Sequence, residues 1–394
     1  MPAAATAATT VTTVTPATAT TAATTATTVV PPIAPADAAG PELRRGVHAV
    51  LREDVYALLG SLTAAVAATA VIFTWLAPWN DPIGFVACAY LLFLVIYRIT
   101  LSQDHDRPAV RDRMVGAVVT TLALVLFGTM ADVVYFTLVN GRHALGHLNF
   151  YTQDIHLTAP KDPLTKGGIL HAAIGTLIEI SIALAITVPL GVLTAVMLNE
   201  MPGRLSRGVR TIAEAATALP SIVAGLFVYG TLIVPFGHRS TGLLRTGGLA
   251  AAIAISVMML PIIIRAADVV LRLTPGSLKE ASYALGAGQW STVWRVSLPT
   301  ARSGLTTAVI LGTARGLGET SPVLLCAGLG RDVNVNPLHD PMTPLPLAVF
   351  SMIRSPEPGM IQRGYGAASV LLIVVLVLFS TARLLARRNR SLTP

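Results

Sequence analysis

The sequence has little charge and few cysteines, and both shortages narrow the class of protein. Only 12% of its 394 residues are charged and 53% are hydrophobic, whereas soluble domains carry about a quarter charged residues. A surface this poor in charge cannot face water everywhere, so most of the exterior must face lipid. The two cysteines, Cys88 and Cys326, lie far apart in apolar runs, which predicts neither a disulfide framework nor a metal site.

Nucleotide-binding and catalytic motifs are also missing. No G-x-x-x-x-G-K-[ST] sequence occurs, and none of the three lysines follows a glycine, so the chain lacks the means to cradle the phosphates of ATP. No Ser/His/Asp set and no pair of carboxylates is predicted to lie at the same depth in the membrane, which argues against an intramembrane hydrolase. His143, His147 and His156 lack a closed set of metal ligands. We therefore expect no metal, no bound cofactor and no catalytic residue in this chain.

Eight apolar segments are each long enough to cross a bilayer, which takes about 20 helical residues. Backbone groups in lipid must be satisfied within the segment, so all eight are predicted to be helices. They lie near 56–77, 82–99, 114–139, 169–198, 212–236, 249–265, 303–329 and 366–385. The predicted fold class is therefore an all-α integral membrane protein with about eight transmembrane helices.

Lysine and arginine are distributed unevenly along the chain. Of the 28 basic residues, 19 fall in the two terminal segments and the alternate connections, 8 fall in the other connections, and Arg315 lies inside a predicted helix. The positive-inside rule then predicts a multi-pass protein of the plasma (inner) membrane with both termini in the cytoplasm. The net charge of +8 is explained as an orientation signal, so we expect no nucleic acid partner.

Composition divides the chain into three parts. Residues 1–53 are rich in Ala, Thr and Pro and carry no charge before Asp37, which predicts a disordered cytoplasmic tail. Residues 54–113 hold the first two apolar segments and are predicted to form an extra transmembrane hairpin. Residues 114–394 hold the other six spans and include a long cytoplasmic loop at 266–302.

The first half of that loop has the pattern of a short helix. Ser277 and Glu280 have the spacing of a capping box, so a helix is predicted to begin there. Either Gly286 or Gly288 can end it in a left-handed backbone conformation.

A second short helix is predicted to follow. Trp290 and Trp294 are four residues apart and would share one of its faces. Pro299 is predicted to close this helix before the next span. The two short helices would form a compact protrusion at the membrane surface, which suits docking into a groove on another protein.

Charged residues stand inside the seventh apolar segment, where Arg315 and Glu319 are four residues apart. Bare charges are expensive in a membrane, so both are predicted to face the bundle interior and to mark function or an ion pair. A rise of about 1.5 Å per residue from Arg302 puts Arg315 about 20 Å from the inner surface. Three nearby glycines would let a helix or a ligand approach closely. They are Gly312, Gly316 and Gly318.

The cytoplasmic loop resembles the Glu-Ala-Ala, Gly and Leu-Pro signature of binding-protein-dependent ABC importer permeases. The matching residues are Glu280, Ala281, Gly286, Leu298 and Pro299. Ser282 replaces the second alanine of the signature. The resemblance implies a type I ABC importer permease core, here with an extra N-terminal hairpin. It also implies that the loop inserts into a cleft on an ATPase subunit and passes its motion to the membrane helices.

The seventh segment narrows the resemblance to one branch of that family. Arg-Gly-Leu-Gly-Glu-Thr-Ser-Pro at 315–322 is similar to Arg-Ala-x-Gly-Glu-Thr-Ala-Pro of PstA-type phosphate permeases, whereas PstC-type subunits usually continue Gly-Glu-Thr with Met-Ala. Residues 219–225 and 341–346 agree, and the resemblance covers about 114–388. It implies transport of inorganic phosphate, with a PstC-type permease, two PstB-type ATPases that use ATP, and a periplasmic or lipid-anchored PstS-type phosphate-binding protein as partners.

The chemistry of the seventh segment suits an oxyanion. Arg315 can bind phosphate through a planar fork of donors, and Glu319 can accept the O–H of hydrogen phosphate, which fully deprotonated sulfate lacks. The predicted substrate pathway is therefore Arg315, Glu319 and Thr320. An ion pair that only locks helices together fits the same residues. Glu179 in the fourth segment either lines the path or pairs with a neighbouring span.

Two other functions stay open at this point. One is an ABC permease for another oxyanion, such as sulfate or molybdate, against which the residues 318–322 argue. The other is a proton-coupled secondary transporter, which would need no ATPase and against which the docking loop argues.

Overall fold

The computed structural model is helical almost throughout, and it contains no strand in the residues that it describes. These residues are 52–76, 81–104, 106–236 and 245–388. The predicted disordered tail, 1–53, lies outside them except for its last two residues. The chain forms two compact units, residues 1–118 and 119–394.

The first unit consists of two helices of similar length and the start of a third. Helix α1 (Arg52–Val71) runs on through a π-helical turn (Ile72–Leu76), and α2 covers Pro82–Asp104. The two helices pack on each other, because Ala65 of α1 is buried in one cluster with Phe93, Tyr97 and Leu101 of α2. Within α2, the rings of Phe93 and Tyr97 are stacked 5.5 Å apart. Both match predicted spans.

The second unit contains the other helices, which begin with the long α3 that the two units share. They are α3 (Arg107–Leu145), α4 (Asn149–Thr152), α5 (Leu170–Glu200), α6 (Arg204–Thr217), α7 (Ser221–Val228) with a π turn (Tyr229–Ile233), α8 (Val234–Phe236), α9 (Gly248–Arg272), α10 (Gly276–Ala284), α11 (Gln289–Thr292) with a π turn (Val293–Ser297), α12 (Leu298–Leu317), α13 (Ser321–Cys326), α14 (Leu345–Ile353) and α15 (Pro358–Arg388).

Helix α9 is the central helix of this unit. In its most apolar stretch 61% of the residues are buried, against 0% in the corresponding stretch of α3. Helix α9 packs against both α5 and α12. Glycines permit the close approach, because a Cβ on Gly312 would lie 2.5 Å from Ile263 Cγ1 and one on Gly316 would lie 2.5 Å from Met259 Sδ. The predicted role of these two glycines in helix packing is therefore confirmed.

The fold class is confirmed, with a smaller number of unbroken spans than the eight predicted. Six of the described helices are long and apolar enough to cross a membrane, and a seventh span is possible if the bent pair formed by 204–217 and 221–236 counts as one. The two predicted spans that differ are 212–236 and 303–329. Each is broken into two helices.

A proline follows each break. Helices α6 and α7 meet at 108° at Pro220, whose extended backbone, with ψ of 134°, precedes α7. Proline disfavours the helical conformation of the residue before it, and α6 ends at Thr217, three residues before Pro220. Helix α12 ends at Leu317, and α13 starts at Ser321 with Pro322 in its first turn, where a missing N–H costs nothing. The three residues between them, 318–320, leave the helical path.

Two predictions for the loop at 266–302, which is predicted to be cytoplasmic, are wrong. The capping box is wrong: α10 begins at Gly276, after Pro275, and has no side-chain cap. The extended backbone of Pro275, with ψ of 127°, already starts the helix, so Ser277 is inside it. Gly286 does end α10 with a φ of +82°, as predicted.

Pro299 does not close a helix, contrary to the prediction. Helix α11, its π turn and α12 follow one another without a gap from residue 289 to residue 317. Pro299 lies in the first turn of α12, directly after the π turn. A π turn changes the hydrogen-bond register of a helix, so the run can continue past a residue that has no N–H to donate.

Candidate functional site

Arg315 and Glu319 form an ion pair at the break between α12 and α13. The distance between Arg315 Nε and Glu319 Oε1 is 2.9 Å. The pair is asymmetric, because the Glu319 side chain is 7% exposed and the Arg315 side chain is 54% exposed. The prediction that both residues face the interior is thus right for Glu319 and wrong for Arg315 within this chain. The acid is held inside, and its basic partner points away from the chain.

The contact between the two residues is electrostatic and does not have hydrogen-bond geometry. Glu319 Oε1 is buried and has no hydrogen-bond partner among the described residues. A buried acceptor without a partner costs about 1–3 kcal/mol, and more when it is charged. Glu319 therefore retains an acceptor for a donor that a bound molecule could bring.

Glu179 of α5 lies beside the same site. Glu179 and Glu319 line one small cavity together with Thr176 and Pro344, and the cavity has about 10 Å³ of space for the centre of a water molecule, roughly the room for one water. Glu179 is fully buried, and neither of its oxygens has a partner in the described part of the chain. An isolated carboxylate in such a position is costly unless a donor reaches it.

Thr320 stands at the turn that leads into α13. It is half-buried and makes no side-chain cap to that helix. The helix itself is fixed by α7, because a Cβ on Gly225 would lie 2.5 Å from Pro322 Cα and Cys326 Sγ donates a 3.4 Å hydrogen bond to Gly225 O. The turn that carries Glu319 and Thr320 is therefore held from both ends.

The loop at 266–302 presents an exposed surface. Among its predicted contact residues, Glu280, Ala281 and Gly286 are exposed, and the neighbouring Leu285 is 89% exposed. A large apolar side chain left in the open beside polar residues is typical of a binding surface.

The two short helices of the loop are held to each other. Ser282 Oγ and Thr292 Oγ1 lie 2.9 Å apart in a hydrogen bond, so the serine that departs from the Glu-Ala-Ala signature joins α10 to α11. Trp290 and Trp294 line one apolar groove of about 350 Å³ along α5. Their predicted position on a shared face is confirmed.

The loop is also fixed to the end of α5, a connection that the sequence did not suggest. Lys279 Nζ forms an ion pair with Glu200 Oε1 at 2.5 Å, and Gln289 Nε2 donates a 3.1 Å hydrogen bond to Glu200 O. Glu200 is the last residue of α5, the helix that carries Glu179. The residues are 79 and 89 positions apart, so no local pattern could have revealed the contact.

A second polar cluster joins α5, α6 and α9 near the same end. The buried Asp268 accepts hydrogen bonds from Asn199 Nδ2 at 2.9 Å, from Arg210 Nη2 at 3.3 Å and from Arg272 Nη2 at 2.9 Å. The i, i+4 spacing of Asp268 and Arg272 was readable in the sequence, whereas the two contacts from other helices were not. Charge-assisted bonds of this kind make the base of the bundle stiff.

Comparison with known proteins places the chain among transport permeases. Residues 187–391 match the family described as binding-protein-dependent transport system inner membrane component. The chain is 34% identical over 290 residues to phosphate transport system permease protein PstA 1 of Mycobacterium tuberculosis strain H37Rv, with 72% of this chain and 92% of that protein covered.

Other relatives agree. The identity is 34% over 255 residues with PstA of Mycobacterium leprae, covering 64% of this chain and 81% of that protein. It is 33% over 286 residues with PstA of Xylella fastidiosa strain 9a5c, covering 71% and 95%. A solved structure of the MetNI methionine ABC transporter, in an inward-facing conformation, has a TM-score of 0.43 at 22% identity over 56% of this chain and 94% of that one. With the sequence match extending over most of its length, the chain belongs to the PstA branch of the binding-protein-dependent ABC importer permeases.

Proposed function

We propose that this chain is the membrane-spanning permease subunit of an ATP-driven importer that carries inorganic phosphate across the plasma membrane. The observation that supports it best is the pair of Arg315 and Glu319, which sits at the end of a helix continuous with the exposed cytoplasmic loop. The relatives named as phosphate permeases support the choice of substrate. The chain binds no cofactor itself, and ATP is used by a partner subunit.

Arg315 attracts the anion in this proposal. Its Nε faces Glu319, which leaves the two Nη groups free to donate to phosphate oxygens in a bidentate arrangement. The half-exposed guanidinium can reach a substrate that passes between this chain and its partner permease. A fixed positive charge near the middle of the path lowers the cost of moving an anion through a membrane.

Glu319 supplies selectivity. Its unpartnered oxygen accepts the O–H of hydrogen phosphate, while the fully deprotonated sulfate has no such donor and is repelled by the carboxylate. A site built to receive a substrate hydrogen bond discriminates strongly against an analogue that lacks it. Thr320 lies next to Glu319 in the same turn and completes the predicted pathway.

The cytoplasmic loop couples transport to ATP hydrolysis. With both termini in the cytoplasm, as the basic residues predict, the loop faces two PstB-type ATPases, and a PstC-type permease and a PstS-type phosphate-binding protein complete the importer. Movement of the loop passes along the continuous helix 289–317 to Arg315 and through Glu200 to α5. Alternating access then opens the site to one side of the membrane at a time.

Uptake of radiolabelled phosphate by cells that lack this chain tests the proposal. Wild-type protein should restore uptake, and sulfate should not compete. Arg315→Gln should reduce uptake by at least about tenfold, because a charge-assisted contact to the anion is lost, and Glu319→Gln should weaken the discrimination against sulfate. Arg245→Gln, at an exposed arginine outside the site, is the matched control and should transport normally.

Three results would contradict parts of the proposal. Wild-type uptake in both site variants would remove Arg315 and Glu319 from the pathway. Sulfate or molybdate uptake in place of phosphate would point to another oxyanion. Purification without any ATPase, from wild type and from a 280–290 deletion alike, would favour a secondary transporter.

A further inference from the structure

A second polar cavity lies in the same unit, at the opposite end of α5 from the cytoplasmic loop. Its volume is about 230 Å³, below the roughly 300–1,000 Å³ of pockets that hold drug-sized ligands. Polar side chains from four segments line it, namely His171, Arg331, Thr343, Ser351 and Ser355. Neither Arg315 nor Glu319 is part of this lining.

His171 needs a partner in this cavity. It is 3% exposed, and both ring nitrogens are buried without a hydrogen-bond partner in the described residues. A neutral imidazole has one N–H donor and one acceptor nitrogen. A ligand that satisfies both must therefore offer an acceptor and a donor.

Arg331 adds a positive charge to the lining. Its side chain is exposed and makes no ion pair or hydrogen bond with any residue that the structure describes. Its backbone is held, because Arg331 O accepts a 3.3 Å hydrogen bond from Ile155 N. The guanidinium is thus free to bind while its position in the loop is fixed.

The hydroxyl groups of the lining differ in the hydrogen-bonding capacity that remains for a ligand. Ser355 Oγ accepts from Glu357 N at 3.3 Å, which leaves its O–H available as a donor. Ser351 Oγ donates to Ala348 O at 2.9 Å and retains acceptor capacity. Thr343 Oγ1 is already engaged as donor and acceptor with Gly330. Donors and acceptors are therefore both present.

Acidic residues near the cavity restrict the charge of its ligand. Asp154 and Asp332 are close enough to act on His171 electrostatically, but they do not line the cavity. No group of three or more potential metal ligands occurs among the described residues, so a cation site is not favoured. The acids oppose a dianion such as sulfate more than a singly charged, protonated oxyanion.

We propose that this cavity is a second phosphate subsite, which takes inorganic phosphate in a protonated form. Arg331 and Ser355 donate to phosphate oxygens, and His171 both donates to the anion and accepts from its O–H. This inference rests on the proposed function and on the predicted orientation, which puts the cavity on the outer side. His171 and Glu179 are eight residues apart on α5, about 12 Å along its axis, so the subsite leads toward the Arg315 site.

Phosphate uptake by the complete importer, measured over a range of phosphate concentrations, tests the subsite. His171→Leu and Arg331→Gln should each raise KM about tenfold, as expected for the loss of one hydrogen bond to a charged group, with Vmax changed less than about twofold. His171→Gln keeps a donor and an acceptor and should restore most of the KM. Arg354→Gln, at an exposed arginine stacked 5.0 Å over the Phe350 ring, should leave KM unchanged.

Direct binding separates the subsite from an effect on folding. Radiolabelled phosphate should bind the purified Arg315→Gln complex of permeases and ATPases, prepared without the phosphate-binding protein and without ATP, and His171→Leu added to it should abolish that binding while the complex still elutes as one species. Unchanged KM and unchanged binding in His171→Leu and Arg331→Gln would overturn the subsite and leave a water-filled cavity. Absence of phosphate uptake by the wild type would instead contradict the proposed function.

Discussion

Two buried glutamates share one cavity but differ in their partners. Glu319 has Arg315 at 2.9 Å, whereas Glu179 has no polar partner in the described residues. An ion pair lowers the cost of burying a charged carboxylate, whereas a buried acid without a polar partner keeps that cost in full. The same type of side chain thus meets two different surroundings, an arginine beside Glu319 and no polar partner beside Glu179.

Replacement of Glu179 separates the neutral acid from a charged one. Glu179→Gln should keep more than about half of the wild-type uptake, because an amide has nearly the shape of a protonated carboxyl and the change stays within the usual range for tolerated substitutions. Glu179→Lys should abolish transport, because it buries an unpaired cation. Uptake assays on equal amounts of membrane-inserted protein measure both. Loss of uptake in a well-folded Glu179→Gln protein would show that the ionised form is needed.

At the scale of helices, the packing of α12 on α9 depends on glycine. A Cβ at Gly312 would lie 2.5 Å from Ile263 Cγ1, which is too close for real atoms, so the buried Ile263 side chain or the helices themselves must shift. At Gly128 of α3, an added Cβ meets no described atom within 4 Å. Both positions are glycines within a helix, but Gly312 is closely packed and Gly128 is not.

Alanine at these two glycines should therefore have opposite effects. Gly312→Ala should destabilise the protein by about 1–3 kcal/mol through overpacking, and Gly128→Ala should be neutral or stabilise it by up to about 1 kcal/mol through helix propensity. Thermal unfolding of the detergent-solubilised proteins measures the difference. Equal midpoints for the two variants would contradict the close packing of α9 and α12.

The contact between Lys279 and Glu200 joins the loop to α5, and its removal should uncouple transport from hydrolysis. Lys279→Met should lower the phosphate carried per ATP several-fold while ATPase activity persists, because the loop then moves without α5. A double-mutant cycle that combines Lys279→Met with Glu200→Gln should show a coupling energy of about 0.5–3 kcal/mol between the two residues. Lys166→Met, outside the loop, is the control. Unchanged phosphate per ATP in Lys279→Met would limit the pair to a structural role.

The elements show which features a sequence can predict. The length of the apolar segments correctly predicted six of the eight spans as unbroken helices. Hydropathy does not report the direction of the helix axis, so it missed the 108° bend at Pro220. Proline was an ambiguous signal, since Pro189 and Pro261 lie inside unbroken helices α5 and α9. The spacing of Arg315 and Glu319 predicted their ion pair, because it is local. The approach of His171 to Arg331 depends on the tertiary fold and left no local pattern.

At the scale of the whole molecule, the exposed face of this chain is incomplete by itself. Large apolar side chains are uncovered along α3, such as Leu124 and Phe127, as suits contact with lipid. Arg315 is also uncovered, with 54% of its side chain exposed, and a bare cation against lipid is costly. The proposed partner permease would cover this residue and enclose the anion between the two subunits.

Thiol labelling tests whether Arg315 lies at that interface. Arg315→Cys, in a background where Cys88 and Cys326 are replaced, should react with a small polar maleimide in the chain alone. Reaction should slow by about tenfold or more when the PstC-type subunit is present, because thiol reactivity follows exposure. A cysteine at Leu124 on α3 serves as the lipid-facing control. Equal labelling of Arg315→Cys with and without the partner would put the residue outside the interface.

The unbroken helix from residue 289 to residue 317 has a mechanical consequence. At about 1.5 Å per residue it is about 40 Å long, so a tilt of about 5° about one end displaces the other by about 3–4 Å. That stroke exceeds the 2.9 Å that separates Arg315 from Glu319. Since Glu319 lies beyond the end of this helix, a small tilt of the helix is enough to separate the guanidinium from the carboxylate. In the proposed transport cycle, binding and release of the anion then need no refolding of the site.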